Sequence, residues 1–230
     1  MLHLIKLELK KGKMISYVWG SLIAYALIAA FFFLMYFVEA PSGDEPVFTS
    51  YGDMFSLVDT IGRATFIVYA SVMLSKLIIS EFRDKTMTLM FAYPISRKKI
   101  IFAKLAMVFS WTFVNLIILN VLLGALVVAV NTNVGYVDDV VTTELLQKQG
   151  LNVLMQSFGA AGMSLLPLAF GMRSKSVATT VVSSILIVAV VVSNSNGFSL
   201  SQIIAVPLSL GILGILLTYF SFRKVDYVDV

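Results

Sequence analysis

Residues 102–130 read FAKLAMVFSWTFVNLIILNVLLGALVVAV, and Lys104 is the only charged side chain among them. A hydrocarbon layer of ~30 Å takes ~20 apolar residues per helical crossing at ~1.5 Å rise each, so this run is long enough to span a bilayer. It shows no period-two alternation of the kind that marks a membrane barrel strand. A helix pairs its own N–H and C=O groups, which a medium without water demands. Five further apolar runs flank this one, at 14–38, 61–79, 153–172, 177–192 and 203–222. The fifth in chain order, 177–192, is short and rich in Val, Ser and Thr. The expected fold class is therefore all-α, a polytopic membrane protein of six transmembrane helices forming a single transmembrane domain over 1–230.

Composition agrees. Of 230 residues, 59% are hydrophobic and 13% charged, and the mean hydropathy is +0.92. A water-exposed surface cannot accommodate that balance. The chain has no cysteine, so disulfides, thiolate nucleophiles and cysteine metal sites are not available to it. Its single histidine, His3, precedes the first run, which leaves no Ser-His triad and no HExxH zinc site. Gly12-Lys13-Met14 lacks the rest of a phosphate-binding loop, so the chain is expected to hydrolyse no ATP of its own. No metal site, and no cofactor within this chain, is expected. The first run is too long for the apolar part of a signal peptide and ends without a small-x-small pattern, so it is expected to stay in the mature chain.

The charges sort by side. Lys6, Lys10, Lys11, Lys13, Lys76, Arg83, Lys85, Arg97, Lys98, Lys99, Lys104, Arg173, Lys175, Arg223 and Lys224 fall on one side of a six-crossing layout, fifteen of the 17 basic residues. Arg63 and Lys148 fall on the other. Lysine and arginine accumulate in cytoplasmic loops, so the basic side is read as cytoplasmic, with both termini there. The outer connections, 39–60, 131–152 and 193–201, are short, and Asn196-Gly197 reads as a turn. No Asp, Glu, His or Lys sits centrally in the six runs. Arg63 and Lys76 read as snorkelling near the ends of the second helix, with Asp59 four residues before Arg63 as a helical ion pair. Ion-coupled transport usually needs a midplane charge. Energy for any transport is therefore expected from another subunit.

Between the second and third runs, residues 80–104 read SEFRDKTMTLMFAYPISRKKIIFAK. Phe82, Thr86, Leu89, Met90 and Tyr93 recur at three- or four-residue intervals, the pattern of a short amphipathic helix that Pro94 would end. Ser96 suits the N-cap of the next helix. Arg97-Lys98-Lys99 opposes that helix's dipole, which favours contact with anionic headgroups or an acidic protein surface. Residues 1–13 carry Leu2, Ile5 and Leu9 on one helical face and Lys6, Lys10 and Lys13 on another, as an interfacial helix would.

This segment resembles the permease subunits of ABC-2 type transporters. That family shows, after its second helix, a glutamate, a Gly-Thr pair, a Leu-Leu-like pair, Pro-x-Ser-Arg with a following basic residue, and a downstream lysine. Glu81, Thr86, Leu89-Met90, Pro94, Ser96-Arg97, Lys98 and Lys104 match in order and spacing, while Lys85 replaces the glycine. The resemblance implies a coupling helix within 80–98, seated in a groove of a separate ATP-binding subunit that carries ATP and Mg. Glu81, Phe82, Arg83, Asp84, Lys85, Thr86, Leu89, Met90 and Tyr93 would then meet that subunit. Pro94, Ser96, Arg97, Lys98 and Lys104 would form the anchoring motif.

It further implies a second permease copy or paralogue around a central pathway bordered by the second and fifth helices. Tyr69, Thr179, Thr180, Ser183 and Ser184 become pathway candidates on that basis. Asn115, Asn120 and Gln156 are amides that hydrocarbon would penalise, so they should face neighbouring helices or a wet path. Gly159-Ala160-Ala161-Gly162 and Gly211 with Gly214 would let helix backbones approach closely.

The expected function is ATP-driven export of a hydrophobic or amphipathic molecule, with an antimicrobial peptide or antibiotic favoured. The expected place is the bacterial plasma membrane, and the lipid bilayer, not nucleic acid, is the expected surrounding partner. A non-transporting immunity or scaffold protein that sequesters a peptide is the rival reading.

Overall fold

Each of the six apolar runs forms helix in the computed structural model, which describes residues 14–39, 48–83, 97–135, 137, 141–174, 176–192, 194–195, 198–199 and 205–222. Helix α1 is Met14–Glu39 and α2 is Tyr51–Leu74, continuing through a π-helical stretch, Ser75–Ile79, into α3, Ser80–Arg83. Then come α4 (Arg97–Val134), α5 (Thr143–Met163), α6 (Leu166–Ser174), α7 (Val177–Val192) and α8 (Ala205–Phe222). Two residues on either side of the expected Asn196-Gly197 turn pair antiparallel, Asn194 with Ser199 and Ser195 with Phe198. The interfacial helix expected at 1–13 and most of the coupling segment lie outside the described residues.

Among the described residues, five helices are long and apolar enough to cross a membrane. They are Ile15–Val38, Tyr51–Ile79, Lys98–Val134, Thr143–Ser174 and Ala205–Phe222. The fold is a polytopic all-α membrane protein. The sixth expected crossing, Val177–Val192, has 16 residues. At ~1.5 Å per residue it falls short of the ~30 Å hydrocarbon thickness.

Two helices begin well before their apolar runs. For α2, expected from residue 61, the cause is local: Ser50 Oγ accepts from the Asp53 backbone N–H, and the Asp53 carboxylate accepts from the Ser50 backbone N–H, a reciprocal capping box. Asp53 also complements the positive end of the helix dipole. α5 starts at Thr143 rather than 153, so the connection after α4 is shorter than expected. The fourth run is also interrupted. α5 ends at Met163, Ser164 and Leu165 turn, and α6 resumes with Pro167 in its first turn, where a missing N–H costs least.

The buried core divides into two halves. One gathers Ile28, Phe32, Tyr36, Phe55, Phe66, Leu116, Leu123 and Met163. The other, around the ends that carry most of the basic residues, gathers Met73, Leu74, Ile78, Ile101, Leu105, Leu168 and Phe222. In the first half, buried Asn131 receives Tyr36 Oη at 3.0 Å and the Val137 N–H at 3.1 Å, and donates to Tyr51 Oη at 2.9 Å. Its amide is satisfied on both sides, and it joins α1, α2 and α4. The glycines of α5 and α8 meet backbone to backbone. A Cβ on Gly162 would lie 2.5 Å from Gly211 O, and one on Gly159 2.8 Å from Pro207 O. Only glycine permits that approach, the use expected for both pairs.

Candidate functional site

Asp59 and Arg63 lie one turn apart on α2, so their side chains share a face. Arg63 Nε is 3.0 Å from Asp59 Oδ2. The expected ion pair is present, but its setting corrects the snorkelling reading: Arg63 is 5% exposed and Asp59 7%. The reason is the early start of α2, which places Arg63 more than three turns inside the helix. Arg63 Nη1 donates to Gln156 Oε1 of α5 at 2.7 Å. Asn120 of α4 donates from Nδ2 to Asp59 Oδ1 at 3.3 Å and to Leu116 O at 3.0 Å. A lone charge within the bilayer costs at least ~2.5–3.5 kcal/mol. Here the pair is neutral overall, and the amides of two other helices complete it.

Beside this network, α2, α4 and α5 line an open cavity of about 1060 Å³. Phe55, Val58, Val121, Leu151 and Leu154 form much of its wall, and Asn120 is on the wall as well. Its volume is just above the ~300–1,000 Å³ typical of small-molecule sites.

Toward the other half, Lys104 is fully buried and forms a salt bridge with Glu81, while its Nζ donates to Leu77 O at 2.9 Å. The first residues of α4 are thereby fixed to the end of the α2–α3 helix. Lysine is rarely buried without a partner, and here the glutamate and a backbone carbonyl supply it. The motif's first and last charged members, 23 residues apart, are thus in contact. At the start of the π-helical stretch Ser75 Oγ donates to Ser71 O at 2.8 Å, and one turn earlier, on α2, Ser71 Oγ accepts from Ser184 Oγ of α7 at 2.9 Å. π-Helical stretches inside α-helices are rare and frequent at functional sites.

The remaining expected site residues are distributed as follows. Arg83 is exposed and Lys98 half-buried. Phe82 ends within α3 and Arg97 opens α4, and their side chains lie outside the description. Asp84, Lys85, Thr86, Leu89, Met90, Tyr93, Pro94 and Ser96 lie outside the described residues. Tyr69 Oη donates to Tyr17 O of α1 at 2.8 Å, and Tyr25 Oη of α1 donates to Asn115 Oδ1 at 2.6 Å. Thr180 and Ser183 return their hydroxyls to Ser176 O and Thr179 O, while the Thr179 N–H donates to Ser176 Oγ at 3.4 Å. Of the pathway candidates, Asn120 alone lines the large cavity. The polar centre of the bundle, Asp59 and Arg63, was not expected as a site. The Ser50-x-x-Asp53 spacing would have pointed to it by moving the helix start.

The chain matches the model of a protein family described as ABC-2 family transporter protein over residues 4–206. It is also 39% identical over 228 residues to the uncharacterized protein YcbO of Bacillus subtilis (strain 168), covering 99% of this chain and 100% of that protein. No solved structure matches it significantly. The resemblance read from residues 80–104 and the membrane-spanning helices agree with these findings, and the chain belongs to the ABC-2 family of transporter proteins.

Proposed function

We infer that the chain is the membrane-spanning subunit of an ATP-driven exporter of a hydrophobic or amphipathic substrate, a peptide or antibiotic being favoured. Separate ATPase subunits carry ATP and Mg, and a second permease copy or paralogue completes the pathway. The basic side faces the cytoplasm, with both termini there, in a bacterial plasma membrane. Residues 80–98 receive the motion of the ATPase subunit.

The observation that carries this reading is the contact between Glu81 and buried Lys104. It braces the two helices between which the coupling segment is strung, so a displacement of that segment moves α2 and α4 together. In this reading Glu81 works inside the chain and Arg83, Asp84 and Lys85 meet the partner.

Charge reversal tests it. Glu81→Lys and Lys104→Glu, each in the full complex, should each cut substrate-stimulated ATPase activity at least ~10-fold, since breaking a buried pair costs ~3–5 kcal/mol. The double reversal should recover much of the loss, the signature of direct coupling. Co-purification from native membranes with an ABC ATPase supports the reading. A chain that binds peptide but brings down no ATPase would instead be a sequestering scaffold.

A further inference from the structure

The large cavity is mostly apolar, but one of its polar members, Asn120, is placed with unusual definition. Both N–H groups of Asn120 are committed, one bond going to the Asp59 carboxylate and one to the Leu116 carbonyl. Each partner is an oxygen acceptor, so the amide can be oriented only one way. Its carbonyl oxygen is left without a partner among the described residues. Donation to a carboxylate polarises the amide and makes that oxygen a stronger acceptor. Arg63, itself bonded to Gln156, holds Asp59 in place. Val121, Leu151 and Leu154, on the cavity wall, are among the exposed large apolar side chains, so the space is not sealed from the surroundings of the bundle. Gln147 and Gln149 line it nearer the start of α5.

We propose that this cavity, between α2, α4 and α5, binds a membrane-partitioned amphiphile with an apolar body and an N–H or O–H donor that Asn120 Oδ1 accepts. A molecule whose polar end only accepts hydrogen bonds meets an acceptor and is disfavoured. A pure hydrocarbon leaves the amide oxygen unpaired. Phe55 and Val58 of α2 line the site and no residue of α7 does, so it is not the space between the second and fifth membrane helices. Binding there needs neither nucleotide nor an ATPase subunit, so its failure and that of the exporter reading are separable.

The test uses the full chain in lipid nanodiscs without nucleotide. The probes are a diazirine-bearing long-chain fatty alcohol and its methyl ether, which has the same body and no donor. Labelled positions are mapped by peptide mass spectrometry. The alcohol should label residues 117–129 and 146–154 about tenfold more than the ether, the ratio a single buried hydrogen bond sustains. Asn120→Leu should abolish that preference. Ala125→Phe, which fills the cavity with the Asn120 amide intact, should lower labelling by both probes, and it keeps the test open if Asn120→Leu fails to fold. Equal labelling by alcohol and ether in the unaltered chain, labelling elsewhere, or labelling indifferent to Ala125→Phe each overturns the proposal.

Discussion

Helix α5 makes two interhelical contacts that solve one problem by opposite means. At Gln156 it reaches a charged pair on α2 through a side-chain hydrogen bond. At Gly159 and Gly162, one and two turns further along, it removes side chains and lays backbone against α8. Inside a bilayer, lipid tails are as apolar as leucine, so burial of hydrocarbon does not choose between helix pairings. Specificity comes from polar groups that have nowhere else to pair, or from surfaces that fit at the backbone. The first contact is sensitive to charge and tolerant of volume. The second is the reverse.

That contrast can be broken deliberately. Arg63→Met should have the largest effect, about 3–5 kcal/mol of destabilisation, because Asp59 is left buried and uncompensated. Thermal unfolding in detergent would register it as a large drop in midpoint. Adding Asp59→Leu should recover most of that loss. A double variant as unstable as the single one would show that the pair's charge is not the cause.

Gly162→Val should follow at about 1–3 kcal/mol, the usual cost of overpacking. Its added atoms meet the backbone of Gly211, which has no rotamer through which to yield. The matching change on the charged side, Gln156→Glu, adds no volume but puts a second carboxylate beside a pair that is neutral overall, so charge should set its cost, at least ~2.5 kcal/mol, and the uncharged Gln156→Met should cost less. If the two Gln156 variants behave alike, the distinction between charge-governed and shape-governed contacts fails. Ser184→Ala should be smallest, about 0.6 kcal/mol, the mean for a hydrogen bond between membrane helices. Its Ser71 partner is a single hydroxyl rather than a charged group, so an effect as large as that of Arg63→Met would mark the contact between α2 and α7 as a second organising centre.

Much of the architecture was legible in local sequence. The 177–192 run coincides with α7, and the 14–38 run is one residue short of α1, because an unbroken apolar stretch bounded by polar residues leaves a helix few alternatives in a bilayer. The glycines of the fourth and sixth runs were legible as packing positions for the same reason. Hydropathy failed where helices begin in polar sequence. Asp53, Asp59 and Arg63 lower the average around the start of α2, although the first of them completes the capping box with Ser50. Ser164 and Leu165 interrupt the fourth run without lowering its hydropathy. The site was less legible than the fold. Glu81 and Lys104 were both singled out by the motif, yet nothing in their spacing required them to touch.

From the chain alone came the solvent in which it lives, the helical class and the family, because these depend on composition, run length and a motif read within about 25 consecutive residues. Only the assembled bundle decided that Arg63 is buried rather than snorkelling, that Asn120 lines a cavity while bonded to Asp59, and that Lys104 closes on Glu81. Each of those depends on which helix lies opposite. A hydrogen bond between residues 61 or 93 positions apart leaves no periodicity in sequence from which its partner could be read.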